Sequence, residues 1–460
     1  MKRTSVVLLA LLLLVSCALG PNFSRPGVET PETWRQPAGT GESIATLDWW
    51  VVFDDPVLQD LIKTALAENR DLRIAAARVD EAAAALGFTR ADQFPSFRYD
   101  AFGGRAKTSD AIEGVPGATA NEYQAEATVF WEIDLWGRLR RSTESARAQL
   151  LATEASQHGV VISLVASTTQ LYFTLIDLDE RLAISRRTLD SRHAATELIR
   201  SRFKGGIVGE LDVHQAEIEE ASAAVAVPSF EREIVSVETA LAILLGRPPG
   251  DMPRGRPLDA ARLATTIPAG LPADLLSRRP DLIEAEENAH AQMARIGVAE
   301  ALRLPTLALT AAGGHASSDI DDFADSDAEF WSVGGSLFGP IFEFGKNKRR
   351  VEIERARTEQ AVLRYENAVL TAFSDVENAL AAVDTFAVEY AERVRQVESA
   401  RAAARLSRAR YDGGVTTYLE VLDIERSLFS SELALSETLQ NRYTALVQLY
   451  LALGGGWTPN

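Results

Sequence analysis

The chain is 460 residues long, and its 47 Lys and Arg are outnumbered by 65 Asp and Glu, giving a formal charge of −18. That balance argues against a nucleic-acid partner, because phosphate binding needs clustered Lys and Arg. A single cysteine, Cys17, excludes an intramolecular disulfide, and the length alone allows two or three domains.

The N-terminus carries an address. Lys2-Arg3 is a positive n-region, Val6 to Val15 an apolar h-region, and Leu14-Val15-Ser16-Cys17 ends it with small residues before the thiol, the pattern of a secretory signal. The apolar run is too short to span a bilayer, which takes about 20 residues. The motif resembles a bacterial lipobox, which implies that Cys17 is lipidated and begins the mature chain. Ala18 stands where an aspartate would favour inner-membrane retention, so sorting to the outer membrane is expected. An ordinary signal peptide or short anchor with an incidental cysteine is the alternative. Removing Lys2 and Arg3 lowers the charge from −18 to −20, which suits a periplasmic surface or the lining of a cation-tolerant pore.

Gly20 to Gly41, bearing Pro and Gly, reads as an extended arm. Pro56 to about Ala91 is Ala-rich and reads as helix, stopped by Pro95. Ser96 to Arg105 and Glu122 to Trp131 read as strands, because Phe97, Tyr99 and Ala101, then Tyr123, Ala125, Ala127, Val129 and Trp131, alternate with their neighbours. Arg138 to Lys204 follows with no proline, and Leu164, Leu171, Leu175, Leu178, Leu182 and Leu189 fall on a coiled-coil seam. Gly205-Gly206 then ends the helix, since glycine tolerates the left-handed conformation of a C-cap. A second helix returns, up to Pro228 and beyond. Gly246 to Pro272, dense in Pro and Gly, reads as a linker packed outside the helices.

The same order then repeats. Asn69 to Gly104 returns 210 positions later as Arg279 to Gly314, with Pro95 on Pro305; the offset then slips to 208, with Gly137 on Gly345 and Gly205-Gly206 on Gly413-Gly414. Strands are expected at Thr306 to Ala312 and Glu329 to Leu337, where Trp331, Val333, Gly335 and Leu337 share a face. The second proline-free run, Lys346 to Asp412, carries Phe373, Val376, Leu380, Val383, Ala387, Tyr390, Val394 and Val397 at alternating spacings of three and four, and a return helix runs from about Thr417 to Leu453. Each long run could span roughly 100 Å. This is a tandem duplication with units of about 200 residues, far above the 20 to 50 of a solenoid. It divides the chain into a signal peptide (1–16), an arm beginning at the lipidated cysteine (17–55), a first repeat (56–250), a linker (251–272), a second repeat (273–456) and a tail (457–460).

Strands of about ten residues cross a membrane when tilted in a β-barrel. Four cannot close one, because membrane barrels have at least eight and an open edge in lipid leaves backbone groups unpaired. One chain is therefore insufficient; a soluble four-stranded sheet is the competing reading. The histidines, His158, His193, His214, His290 and His315, are scattered without metal-ligand spacing, and no P-loop, G-x-S-x-G elbow or H-E-x-x-H motif is present. No catalytic residue, metal site or cofactor is expected.

Many spaced residues resemble one family: Trp49-Trp50, Phe53, Asp55-Pro56, Leu58 and Leu61-Ile62; Asn69, Asp71-Leu72 and Ala77-Arg78-Val79; Gly270-Leu271-Pro272, Asp274-Leu275-Leu276 and Arg278-Arg279-Pro280-Asp281; Gly339-Pro340-Ile341-Phe342 with Gly345; and Cys17 with Gly20-Pro21 and Arg25-Pro26. From Cys17 to about Gly456 the chain is similar to the TolC/OprM-like outer-membrane efflux proteins, in the NodT-type lipoprotein branch that serves resistance-nodulation-division pumps. The resemblance implies a mainly α fold with membrane β: a homotrimer forming a twelve-stranded outer-membrane barrel, four strands per chain, continued by a long periplasmic α-helical barrel. It implies a passive exit duct for drugs or other toxic small molecules, with a periplasmic adaptor, an inner-membrane transporter and outer-membrane lipid as partners. Glu420 and Asp423 match the family's acidic ring at the periplasmic gate, at i,i+3 on one helical face; Asp212 and Gln215 are their first-copy equivalents. Six such carboxylates would favour cations and raise some of one another's pKa values. Glu420 replaces an aspartate, and Thr416 stands where some members carry a basic tether. Type I protein secretion, metal-ion efflux and a lipid-anchored coiled-coil spacer are the alternatives; Met1, Met252 and Met293 form no metal-relay cluster.

Overall fold

The computed structural model describes residues 18–35, 49–109, 111, 117–259, 263 and 269–455. Cys17, with the signal and the lipobox, lies outside the described residues. These residues form two compact units, drawn from Met1–Gly27, Arg78–Glu154 and Glu284–Glu366 in one and from Val28–Ala77, Ala155–Ile283 and Asn367–Asn460 in the other. Each unit takes segments from both copies of the duplication.

Helices α1 (Pro56–Glu68) and α2 (Arg70–Ala91) replace the single expected helix. Asp55 starts α1 by accepting hydrogen bonds from the Val57 and Leu58 amides, a cap for donors that have no partner within the helix, and Pro56 fits the first turn. Asn69 makes the break. Its side chain donates to the Leu244 carbonyl and accepts from the Leu72 amide, both at 2.9 Å, so one residue ends one helix and caps the next. Leu58, Leu61, Ile62 and Ala65 bury one face of α1. Trp49 stacks on Tyr450 at 5.1 Å, while Phe53 packs against Phe173 and Tyr443. The Tyr172 hydroxyl donates to Asp55 at 2.7 Å, and burial with this acidic neighbour pushes the phenol up.

The first unit holds one antiparallel sheet in the order β1 (Ser96–Lys107), β2 (Thr119–Ile133), β3 (Thr306–Ser317), β4 (Glu329–Phe338). The strands run past the apolar alternation because ladder hydrogen bonds are made by backbone groups whatever the side chain. The register sets Phe97, Val129, Ala311 and Val333 in one row and Tyr99, Ala127, Gly313 and Trp331 in the next. All the alternating apolar residues therefore share one face. The other face carries Arg98, Asp100, Glu126, Thr128 and Ser332. Phe97, Tyr99, Trp331 and Val333 are exposed on this chain, although apolar residues normally avoid water.

Two pairs of long helices follow the strands: α3 (Arg138–Lys204) with α4 (Glu210–Leu244), and α6 (Lys346–Asp412) with α7 (Tyr418–Ala452); α5 (Pro280–Ala301) precedes β3. Leu164, Leu175, Leu178 and Leu182 of α3 are buried, as are Phe373, Val376, Leu380 and Val397 of α6, with the remaining seam positions half-buried. The linker after α4 buries Met252, Leu263 and Ala269. Arg254 fixes it to Asp179 at 2.9 Å, and the Tyr443 hydroxyl donates to the Asp259 carbonyl at 2.9 Å.

Candidate functional site

The ends of the two helical hairpins are built alike. After α3, the Ile207 amide bonds to the Arg202 carbonyl and the Gly206 amide to the Phe203 carbonyl, both at 2.9 Å; after α6, Val415 bonds to Arg410 and Gly414 to Tyr411, again at 2.9 Å. This pair of crossing bonds satisfies the last carbonyls of a helix and requires a left-handed residue. Gly206 and Gly414 supply it, at φ +71° and +70°. A Cβ at either would meet nothing within 4 Å, so conformation demands glycine there and space does not. Gly205 and Gly413 precede them at each turn.

An apolar cluster joins the two hairpin ends. Ile199, Val213 and Ala216 of the first pack with Tyr418, Val421 and Leu422 of the second, and Val208 and Tyr411 lie against them. Burial pushes the Tyr418 phenol up to about 12. Arg202 reaches across to Asp412 at 3.2 Å with its guanidinium 5.1 Å from the Tyr411 ring centre.

Acidic side chains sit on this frame. Glu420, in the first turn of α7, accepts from the Thr416 hydroxyl and lies 3.9 Å from Arg410. Asp423 is 79% exposed and 3.7 Å from Arg426. Negative charge at a helix N-terminus is favourable, so Glu420 and Asp212 suit the starts of α7 and α4. Asp212 is half-buried beside Val213. Each second-copy acid therefore has a cation within its own chain, but at these exposures such pairs are worth about 1 kcal/mol or less.

Beneath them lies a network the sequence reading missed. Glu219, 6% exposed, is 3.3 Å from Arg192, itself 5% exposed, and also bonds Arg426. Arg192 donates to the Glu219 carbonyl at 2.7 Å, its guanidinium 5.1 Å from the Phe429 ring centre. Arg426 thus ties exposed Asp423 to a buried carboxylate of the other hairpin. Glu425, 3.2 Å from Arg408, is held above the usual carboxylate range by burial. The signal was present: Arg192 falls on the stripe Leu182, Ser185, Leu189, Thr196, Ile199, and Glu219 on the stripe Val213, Ala216, Ala223. A charge on an apolar stripe needs a partner.

The arm is pinned within the first unit. Arg141 donates to the carbonyls of Leu19 and Gly20 and to Asn22, Phe23 stacks on His290 at 4.4 Å, and Arg25 pairs with Glu286 at 2.8 Å. Gly20 passes so close to Gly297 that a Cβ on it would fall 2.5 Å from the Gly297 Cα. No group of three His, Cys, Asp or Glu placed to hold a metal occurs among the described residues.

Known proteins share this arrangement. The chain matches the outer membrane efflux protein family twice, over residues 61–247 and 271–455. It is 36% identical over 469 residues to the solvent efflux pump outer membrane protein SrpC of Pseudomonas putida, covering 100% of this chain and 99% of that one. The cation efflux system protein CusC of Escherichia coli O6:H1 is 31% identical over 451 residues, covering 97% of each. Among solved structures, the outer-membrane channel OprN matches with a TM-score of 0.89 at 31% identity, covering 96% of this chain and 100% of that one. With both duplicated halves matched and the fold shared end to end, the chain belongs to the outer membrane efflux protein family and is the outer-membrane channel of a tripartite efflux system of the TolC/OprM kind.

Proposed function

We propose that three copies form a twelve-stranded barrel through which a resistance-nodulation-division transporter, joined by a periplasmic adaptor, expels toxic small molecules. The sheet is the observation that carries this reading. One face is apolar and exposed, and among the described residues β1 and β4 each have a single neighbouring strand; lipid covers the face, and further strands satisfy the edges. A spacer between membrane and cell wall has no use for such a face. The duct hydrolyses nothing, because the transporter supplies the energy. The SrpC likeness favours apolar cargo.

Cys17 carries the lipid that makes a second anchor. In support, the described arm begins with Ala18 packed against Gly137, at the joint between β2 and α3, where a barrel strand leaves the bilayer. Glu420 and Asp423, with Asp212 behind them, form the acidic ring of the closed periplasmic end. They lie at the hairpin ends, and Asp423 is free to face an axis. Arg410 and Arg426 temper their charge.

Expression in cells lacking their own duct, with a matched adaptor and transporter, should restore resistance to organic solvents, and native mass spectrometry in detergent should give a trimer whose N-terminus carries diacylglycerol. A stable monomer would overturn the assembly, and an unmodified N-terminus would remove the lipid.

A further inference from the structure

The sheet carries a second set of aromatic residues, on the face that its polar residues occupy. Strand residues alternate between faces. The register places Phe130 in a row with Ser96 and Thr310, Phe102 in a row with Gln124 and Ala316, and Phe330 in a row with Asp100, Glu126 and Gly314. Phe338, opposite Thr306, falls on the same face of β4 as Phe330 and Ser332. All four phenyl groups therefore project beside Arg98, Thr128 and Ser332, away from Phe97, Tyr99 and Trp331. Phe102, Phe130 and Phe338 are 54%, 45% and 57% exposed, and Phe330 is half-buried. Lipid would account for phenyl groups on the apolar face; on the polar face they hold apolar area against water, which is unfavourable.

The duplication sorts the four into two tiers. Phe130 pairs with Ser96 and Phe338 with Thr306, and offsets of 208 and 210 relate the two pairs. These two rings stand at equivalent places, where β2 leads into α3 and β4 into α6. Phe330, moved back by 208, falls on Glu122, which pairs with Gly104; Phe102 pairs with Gln124, one row nearer the helices. Phe102 and Phe330 thus form an outer tier about 20 Å further along the strands, with Arg98, Asp100, Glu126 and Thr128 between the tiers. The Phe102 ring lies along the wall. A Cβ on Gly104 would fall 2.6 Å from its Cζ atom, so the ring covers that glycine and leaves its other side open.

We propose that these residues make two aromatic collars on the water-facing wall of the barrel, where flat aromatic solutes dock ring against ring on their way out. The inference rests on the exit-duct reading, under which this face lines the passage, and adds where the cargo touches the wall. Three copies put six rings in each collar: Phe130 with Phe338 at the joint with the helices, and Phe102 with Phe330 towards the far end. Aromatic pairs favour offset-stacked or edge-to-face contact, which a saturated ring of the same size cannot make. A barrel of twelve strands is wider than the eight whose interior side chains can fill, so the collars line the passage without plugging it. Weak contacts at two levels let a solute enter and still leave.

Two water-soluble probes test this. Benzyltrimethylammonium and (cyclohexylmethyl)trimethylammonium carry the same ammonium, so its attraction to aromatic faces is common to both, and a difference between them reports ring-on-ring contact. With the full chain in planar bilayers and the probes added on the barrel side, the benzyl probe should interrupt the current about twofold to tenfold longer, the worth of one aromatic pair beyond its area. Phe102→Leu with Phe330→Leu, and Phe130→Leu with Phe338→Leu, keep apolar volume and should each shorten the benzyl dwell; all four together should erase the difference. Tyrosine at the same four positions keeps the rings and should retain it. Equal dwell times in the parent chain, or a benzyl preference that survives the fourfold leucine variant, overturn the collars. The face assignment has its own readout. A charged, membrane-impermeant maleimide applied outside cells should label Phe102→Cys and leave Tyr99→Cys unreacted. The reverse order turns the sheet over and removes the barrel reading itself, whereas the expected labelling with equal dwell times removes the collars and spares the barrel.

Discussion

At Gly206 and Gly414 the two hairpins close with the same crossing hydrogen bonds and nearly the same left-handed φ, yet the helices that follow carry their acids at different positions. The first copy places exposed Glu210 and half-buried Asp212 in the first turn, with Gln215 one turn on; the second places Glu420 in the first turn and the largely exposed Asp423 one turn on. The turn is fixed by backbone geometry, so both halves of a duplicated chain keep it. Nothing in the fold requires carboxylates at the second end. In the proposed gate their charge would act on passage through the duct, and the buried Arg192–Glu219–Arg426 network ties the two ends together.

The largest effect should come from breaking that joint. Glu219→Ala leaves Arg192 buried without its counter-charge, a loss of about 3 to 5 kcal/mol, and hydrogen exchange should speed at both hairpin ends. Protection lost in one hairpin alone would show that the network does not couple them. Next in size are the turns themselves. Gly206→Ala and Gly414→Ala should each cost about 1 to 2 kcal/mol through the left-handed φ, equally at the two ends; thermal unfolding that differs between the variants would break the likeness of the backbones.

The charges should separate the ends. In planar bilayers, Glu420→Ala with Asp423→Ala should weaken cation preference and multivalent-cation block together, at a stability change of about 1 kcal/mol or less. Asp212→Ala should have the lesser effect on both. The opposite ranking would move the ring to the first copy.

The smallest effect concerns pH. Burial raises the folded pKa of Glu425, with Arg408 opposing. A raised value means that this group's stabilising contribution is whole below the unfolded carboxylate range, near about 4.3, and fades as pH climbs through the folded value. Glu425→Gln should therefore gain on the parent chain in melting temperature at neutral pH and lose that gain on acidification. A difference that does not vary with pH would refute this assignment.

Local periodicity determined much of this protein. Spacings of three and four along the proline-free runs, alternation in the strands, paired glycines and the repeat itself located both long hairpins and four strands, because helix, strand and left-handed turn each follow from a few adjacent residues. Residue matches spread along the chain located the candidate acids Glu420 and Asp423. Tertiary structure decided the rest. Asn69 divides the expected helix because the Leu244 carbonyl, 175 positions away, offers its side chain a partner. Arg192 and Glu219 lie on apolar stripes, yet their pairing, and the tie through Arg426 to Asp423, arise only where separate helices meet. The pairing of β2 with β3, which draws both copies into one sheet, is likewise a contact between distant segments, because a strand's pattern records which face is apolar and not which strand lies beside it.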